Sequence, residues 1–224
     1  EEARYDLIAN GLKVGHFFLW WEEDGSTYKA TFMLKTSGLV RFFKPQDRYA
    51  QTIGTIRREN GKVILLPKLF KATSKGRHKS RSIEIAYDEQ GNVTASTVTP
   101  PDNPATRPAV SQQGKNAGYD ALTAIQMLFA MASEMKSKSE FTVFDGRRLT
   151  RIHLAPPQVN PFVCQECPAY KISREPAEGF DADDLKDYQK GDPPVRVSID
   201  PIKSRFPAAA RVDVSWGVLT AKRQ

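Results

Sequence analysis

The sequence predicts a mainly β protein with one curved antiparallel sheet, or open barrel, wrapped around a single buried helix. Four pairs of apolar segments are each joined by a short turn that contains glycine, which is typical of strands that are neighbours in both sequence and sheet. Residues 119–136 have the composition of a helix and are apolar on nearly all sides. A length of 224 residues suits one all-β domain. We therefore expect a single domain over residues 1–224.

The four hairpins are predicted from their turns and from alternation. Asn-Gly and Asp-Gly turns accept the positive φ that tight antiparallel turns require. In one strand Tyr28, Ala30, Phe32 and Leu34 alternate with mostly polar residues and should share a face. Residues 17–21 are apolar at every position, which predicts cover on both faces. The paired segments are 14–21 with 28–34, 49–57 with 63–66, 82–87 with 93–98, and 141–144 with 149–154; residues 195–199, 209–215 and 218–221 also have strand patterns.

The helix over residues 119–136 is predicted from its helix formers, since residues 120–132 contain no Gly, Pro or Val. Asp120 is expected to cap the first turn by accepting backbone N–H bonds. A helix that is apolar nearly all round is buried, and in a single-sheet protein the concave side of the sheet is where it can be buried. Before it, residues 99–118 carry four prolines among polar residues and predict a long connector.

The concave face and the helix supply the candidate ligand-binding residues. A carrier of an apolar molecule would leave space between them, whereas a core that serves stability alone would be filled to normal density. The residues predicted to line such a cavity are Phe17, Leu19, Trp21, Phe32, Leu34, Leu122, Ile125 and Phe129, with Leu128 beside them.

A second candidate site is a basic hairpin. The formal net charge is +7 and the sequence pI is near 9.4, which makes an anionic partner plausible. The candidate anion-binding residues surround Gly76: Lys71, Lys75, Arg77, Lys79 and Arg81. They could bind lipid phosphates in a peripheral membrane contact, or form a solvated tip whose charges discourage edge pairing. No nucleic-acid-binding motif is present, so we expect no nucleic-acid partner.

Cys164 and Cys167 form a Cys-x-x-Cys pair. Residues three apart in a turn can reach the separation of about 5–6 Å that a disulfide needs, and we predict an intramolecular disulfide. A reduced structural pair is the other bland alternative. A redox-active pair is disfavoured by Pro168, which directly follows. A zinc site would need distant histidines.

No catalytic motif is found in the sequence. It lacks a Gly-x-Ser-x-Gly elbow, a phosphate loop and a His-Glu-x-x-His pair. The acidic residues that follow Asp181 lack the ligand and the glycine of a calcium loop, and a short helix begun by Asp181 or Asp183 explains them better. We expect no catalytic residue, metal or cofactor, and no enzyme activity. An enzyme whose residues are scattered along the chain stays a third hypothesis.

Seven short motifs follow one another along the chain: Tyr5-Asp6-Leu7, Gly11-Leu12-Lys13-Val14-Gly15, Asp120-Ala121-Leu122-Thr123, Phe144-Asp145-Gly146-Arg147-Arg148, Glu175-Pro176-Ala177-Glu178-Gly179-Phe180, Pro194-Val195-Arg196-Val197 and Trp216-Gly217-Val218-Leu219-Thr220-Ala221. In this order they resemble one family, the Gram-negative envelope proteins of domain-of-unknown-function family number 3108. The resemblance implies a secreted, periplasmic β protein of unknown activity and supplies no catalytic residues. Ala121 departs from the pattern, which more often has proline there, but alanine is also a strong helix former.

The leading functional hypothesis is a non-catalytic periplasmic protein that binds a lipid, an acyl chain or a lipidated partner. At the level of fold, this outline is similar to the periplasmic carriers of lipoproteins. The first residue is Glu1 rather than methionine, and we expect either that a signal peptide has been removed upstream or that the sequence has been trimmed. The alternative function is a protein–protein scaffold in the cell envelope that uses sheet edges and the basic hairpin.

Overall fold

The alternating segments form strands, and these strands make one continuous sheet. A computed structural model of the chain describes residues 1–43, 45–59, 62–132, 139–155, 158–159, 168–191, 193–199, 206–215 and 217–224. The strands in these residues are β1 (Glu2–Ala9), β2 (Leu12–Asp24), β3 (Thr27–Thr36), β4 (Gln46–Glu59), β5 (Lys62–Gly76), β6 (Ser80–Tyr87), β7 (Val93–Thr99), β8 (Gly118–Tyr119), β9 (Ser139–Phe144), β10 (Leu149–Leu154), β11 (Gln158–Val159), β12 (Pro168–Glu178), β13 (Val195–Ser198), β14 (Ala209–Val214) and β15 (Gly217–Arg223).

The strand order is β7-β6-β5-β4-β3-β2-β1-β15-β14-β13-β12-β10-β9-β8, and β11 pairs with β12 outside this path. Most neighbours in the sheet are also neighbours in sequence, as the hairpin signals predicted. Gly25 and Gly146 have φ values of +58° and +91° in two of the predicted turns. Asn60 and Gly61 lie outside the described residues, but β4 and β5 on either side of them pair. β8 and β9 are parallel.

Four helices occur in the described residues: α1 (Gly38–Phe43), α2 (Gln112–Ala117), α3 (Ala121–Ala132) and α4 (Ala182–Gln189). α3 is the predicted helix, and the sheet curves around it, which confirms the predicted fold class. α2 lies in the connector and is capped by the Ser111 hydroxyl. α4 is capped by the Asp181 carboxylate, as the acidic residues predicted. No helix in the described part of the chain is long and apolar enough to cross a membrane.

The core lies on the concave side of the sheet and surrounds α3. Aromatic residues from the first strands form its centre: the rings of Tyr5 and Phe17 stack with centroids 4.4 Å apart, and those of Trp21 and Tyr28 stack at 4.9 Å. A second cluster packs on the C-terminal half of α3, with Leu128 in contact with residues of β10, β12 and β13. The two clusters hold the helix between opposite walls of the sheet.

The apolar segment 17–21 is covered differently from the prediction. Phe17, Leu19 and Trp21 point inward, but Phe18 and Trp20 point outward and stack on each other at 5.3 Å. The guanidinium of Arg4 lies 5.3 Å from the Phe18 ring centroid. Within the described residues, the outer cover of these aromatic residues comes from neighbouring side chains of the same sheet.

The two ends of the sheet, β7 and β8, are joined through α2 rather than by direct pairing. The backbone N–H of Val93 in β7 donates to Asn116 Oδ1 at 3.0 Å, and Gln112 Nε2 donates to the Val93 carbonyl at 2.7 Å. The Ser96 hydroxyl of β7 also donates to the carbonyl of Gly146, at 3.3 Å. Side chains of α2 therefore satisfy backbone groups that a neighbouring strand would otherwise pair with.

Ion pairs link three neighbouring segments: the connector, the turn between β9 and β10, and the N-terminus of α4. Arg147 donates to both carboxylate oxygens of Asp102, at 2.7 Å and 2.6 Å, and this pairing holds the pKa of Asp102 below its ordinary value. Arg107 is buried and its Nη1 lies 2.7 Å from Asp184 Oδ2. Because the Arg107 charge has carboxylate partners, its burial is tolerated.

Candidate functional site: an apolar cavity beside the central helix

The N-terminus of α3 is fixed by a buried carboxylate. Asp120 is fully buried, and its Oδ1 accepts the backbone N–H groups of Leu122 and Thr123, both at 3.0 Å. The Thr123 hydroxyl donates to Oδ2 at 2.6 Å. These bonds confirm the predicted cap and satisfy N–H groups that have no partner within the helix.

The same carboxylate ties the helix to the sheet. The Thr52 hydroxyl of β4 donates to Asp120 Oδ1 at 2.6 Å, and the hydroxyls of Tyr28 and Thr123 lie 2.8 Å apart in a hydrogen bond. We call Thr52, Tyr28, Asp120 and Thr123 the anchor network. Burial raises the pKa of Asp120, although the hydrogen bonds it accepts act in the opposite direction.

A glycine in β4 makes room for the Tyr28 ring. A Cβ atom placed on Gly54 would lie 2.6 Å from Tyr28 Cε1 and would also collide with the Leu66 carbonyl. The absence of a side chain at Gly54 therefore lets the Tyr28 ring lie close to the backbone while its hydroxyl reaches Thr123.

The two faces of α3 have different neighbours. Leu122 and Thr123 are buried in the core, and the helix contacts β3, β4 and β5. Ala121, Ala124, Ile125 and Leu128 lie three or four positions apart and so share another face, and this face borders a cavity. Two of these four residues are alanines, whose small side chains leave the space unfilled.

The cavity has a volume of about 400 Å³. The described residues of its lining are apolar apart from the Tyr5 hydroxyl, which donates to the Pro207 carbonyl at 2.7 Å. Phe17, Phe32 and Ile125 are only half-buried, so the cavity communicates with the solvent. The lining residues are Tyr5, Phe17, Leu19, Phe32, Ala121, Ala124, Ile125, Leu128, Phe141, Val143, Ile152, Ile172, Val197, Pro207 and Ala210.

Four residues of the predicted lining border the cavity: Phe17, Leu19, Phe32 and Ile125. Three others do not, and their prediction as lining was wrong. Trp21 stacks on Tyr28, and Leu122 is buried in the core cluster without lining the cavity. Leu34 lies near the end of β3, opposite Arg48. The side chain of Phe129 lies outside the described residues.

The far wall of the cavity was missed in the sequence. Phe141 and Val143 of β9 and Ile152 of β10 line it, and the alternation of Phe141 and Val143 was visible. The sequence pattern does not say which distant strand meets the helix, so this signal could not be assigned to the site.

The basic hairpin is divided by the sheet. Lys71 points outward and pairs with Glu84 at 2.9 Å, whereas Arg81 has the opposite strand parity and lies 3.4 Å from Asp102. Lys75 and Lys79 are exposed near the turn, and Arg77 donates to the Phe42 carbonyl. The five residues therefore do not share one face of the sheet, because successive side chains of a strand point to opposite faces.

Two further sequence-based predictions concern metals and cysteines. No group of three or more His, Cys, Asp or Glu side chains in the described ranges is placed to hold a metal ion. Cys164 and Cys167 lie outside the described residues, so their disulfide stays a prediction.

Sheet, helix and cavity together define a barrel-like antiparallel β protein with one helix inside. The chain belongs to a family of proteins of unknown function, DUF3108, whose model matches residues 4–223; the resemblance seen in the motifs is confirmed. No curated protein matches the chain in sequence. The fold is similar to the crystal structure of a β-barrel-like protein of domain of unknown function DUF1849 from Brucella abortus, with a TM-score of 0.49 and 11% identity over 100% of this chain and 94% of that chain.

Proposed function

We propose that this protein is a non-catalytic binding protein of the cell envelope that holds the acyl chain of a lipid or of a lipidated partner. The observation that carries the proposal is the apolar cavity of about 400 Å³ beside α3. Ligand pockets usually measure about 300–1,000 Å³. A cavity of this size within a folded core exceeds the small voids that normal packing leaves.

The lining specifies the chemistry of the ligand. Each methylene moved from water into such a site contributes about 0.8 kcal/mol. A chain that buries about eight methylenes would therefore gain about 6 kcal/mol before the costs of ordering it are subtracted. Among the described residues no charged side chain lines the cavity, and a lone charge in apolar surroundings is costly. The polar head of the ligand would stay at the opening.

The same lining supports binding rather than catalysis. In the part of the chain that the structure describes, one hydroxyl lines the cavity, on Tyr5; it is engaged with the Pro207 carbonyl, and burial raises the pKa of Tyr5. A phenol with a raised pKa stays protonated at neutral pH, so it is a poor base and a poor nucleophile.

The proposed compartment is the periplasm. It is supported by the resemblance of the motifs to an envelope family and by the predicted disulfide, which would form in an oxidising compartment. The alternative scaffold function rests on free sheet edges, and here it loses support. At Val93 the edge of β7 is already occupied by side chains of α2.

Binding of a fluorescent fatty acid, with palmitate as competitor, tests the proposal, together with native mass spectrometry of gently purified protein. We expect saturable binding and a retained acyl-chain adduct. Ala124→Phe should fill the cavity and weaken binding by about tenfold or more, which corresponds to about 1.4 kcal/mol. Ala210→Leu fills the opposite wall and serves if the first variant folds poorly.

The matched control is Ala95→Phe, since Ala95 is exposed on β7 and this change adds the same ring outside the cavity. The control should bind like the wild type. A folded Ala124→Phe or Ala210→Leu variant with unchanged affinity would contradict the proposal, as would a wild type that neither binds fatty acid nor retains lipid.

A further inference from the structure

A second surface with features of a binding site lies at one end of the sheet and shares no residue with the cavity lining. The β1–β2, β3–β4 and β5–β6 connections are side by side there, because these six strands are successive antiparallel neighbours. The Ser37 N–H donates to the Val14 carbonyl at 2.9 Å, and Arg77 donates to the carbonyl of Phe42 in α1. The three connections therefore form one continuous surface, which we call the basic rim.

The basic rim exposes two large apolar side chains. Leu12 and Phe42 are each 72% exposed, more than any other large hydrophobic residue in the described residues. A single exposed apolar residue is normal on a protein surface. Two on adjacent connections of one surface indicate contact with an apolar partner.

Positive charge is concentrated around these two residues. The rim segments 10–14, 35–48 and 74–81 hold one acidic residue, Asp47, which pairs with Arg41 at 2.7 Å. Their basic residues in the described part of the chain are Lys13, Lys35, Arg41, Arg48, Lys75, Arg77, Lys79 and Arg81. The three connections at the opposite end of the same strands, residues 22–29, 57–63 and 87–93, hold six acidic and four basic residues. The two ends of this half of the sheet thus have opposite net charge.

We propose that the basic rim docks on an anionic lipid bilayer. Leu12 and Phe42 would enter the boundary between headgroups and acyl chains, while Lys75, Arg77 and Lys79 face the lipid phosphates. This combination of basic and apolar side chains is what interfacial membrane segments use. A nucleic acid or other soluble polyanion would need the charge but not the two exposed apolar side chains.

The docking area is limited to these three connections. α4 lies at the same end but on the wall formed by β12 and β13, between which it stands in the chain, and its first turn is acidic. An anionic surface would repel that wall, so the molecule should meet the bilayer in one orientation. The surface does not include the cavity lining, and the two proposals are therefore independent.

Cosedimentation with vesicles tests the docking proposal. The full chain should bind vesicles made from an equimolar mixture of phosphatidylcholine and phosphatidylglycerol. It should bind vesicles of pure phosphatidylcholine far more weakly, and its affinity for the mixed vesicles should fall as the salt concentration rises. Lys75→Gln/Lys79→Gln should lower affinity by roughly 30-fold, and it leaves the contact between Arg77 and Phe42 in place. Leu12→Ser/Phe42→Ser should lower affinity on the order of tenfold even at high salt.

The matched control is Lys171→Gln/Lys222→Gln, which makes the same charge change at two exposed residues outside the rim. It should bind vesicles like the wild type. If the two double lysine variants lost vesicle affinity equally, the proposal would be overturned, since binding would then depend on net charge alone. The proposal would also be overturned if the protein bound heparin or duplex DNA as tightly as vesicles and if Leu12→Ser/Phe42→Ser did not change its affinity for vesicles. The Ala124→Phe variant, which should lose fatty-acid binding, should still bind vesicles. Failure of the docking proposal can therefore be distinguished from failure of the cavity proposal.

Discussion

The two faces of α3 meet the same sheet in opposite ways. On one face, Asp120 and Thr123 bond to each other and to the sheet, and Leu122 is buried in the core. On the other face, Ala121 and Ala124 border a cavity. The comparison teaches that a helix held by a few specific bonds on one side need not be packed on every side. Space for a ligand and a fixed helix are therefore compatible in one core.

The largest effect is expected on the anchored face, from Asp120→Ala. The change removes the acceptor of four hydrogen bonds, from the N–H groups of Leu122 and Thr123 and the hydroxyls of Thr52 and Thr123. A buried donor left without a partner costs about 1–3 kcal/mol. We expect the free energy of unfolding to fall by about 4 kcal/mol, allowing for partial relaxation. Urea denaturation followed by tryptophan fluorescence measures it.

The control is Asp120→Asn, which keeps an acceptor oxygen for the cap and should cost less. Comparison of the wild type with this variant also isolates the pH dependence of stability that is due to Asp120. Because burial raises the pKa of Asp120 above its ordinary value of 3.8, the folded state binds this proton more tightly than the unfolded chain. The stability that Asp120 contributes is complete below its unfolded pKa and declines as pH rises toward the folded pKa. Relative to Asp120→Asn, the wild type should lose stability above about pH 4. If the free energies of unfolding of the two proteins depended on pH in the same way, the raised pKa of the buried Asp120 carboxyl group would be contradicted.

A smaller but sharper effect is expected from truncating the two faces separately. Leu122→Ala removes a side chain from a filled core and should cost about 3 kcal/mol. Ile125→Ala removes a side chain that already borders a cavity and is half-buried, so it should cost about 1–2 kcal/mol. Chemical denaturation of both variants gives the two values. Equal losses would mean that the faces are packed alike, and the comparison would fail.

The smallest effect is expected from Tyr28→Phe, which removes only the hydroxyl that bonds to Thr123. A net loss of about 1 kcal/mol is typical for one hydrogen bond. Tyr49→Phe is the matched control, because the Tyr49 hydroxyl accepts from Gln51 at an exposed site, and it should change stability little. Thermal unfolding of both variants makes the test. If Tyr28→Phe changes the stability no more than Tyr49→Phe does, the hydrogen bond between Tyr28 and Thr123 contributes nothing to stability.

Local features of this fold could be predicted, and features that depend on distant partners could not. Turns and strand alternation involve residues a few positions apart, and so does the Asp120 cap. The partner Thr52 is 68 positions from Asp120, and no local pattern joins them. Leu122 and Ile125 look alike in sequence, yet only their neighbours across the sheet decide which one borders the cavity.

Two differences between prediction and structure have identifiable physical causes. Lys71 and Arg81 were grouped by their closeness in sequence, although strand parity places them on opposite faces. The helix α2 has no apolar periodicity in its sequence, Gln-Gln-Gly-Lys-Asn-Ala. Its position depends on what its polar side chains bond to in β7, which periodicity does not report.

The position of β1 inside the sheet has a consequence for how the chain folds. One of its neighbours, β2, follows directly, but the other is β15, and Tyr5 lies opposite Arg223. Strands β1 to β7 can pair as successive hairpins while the chain is being synthesised. The second side of β1 has to wait for β15, and closing so long a loop is slow. During that interval an unpaired strand edge is open to other chains, so the arrival of β15 ends the period in which a nascent molecule is most exposed to aggregation.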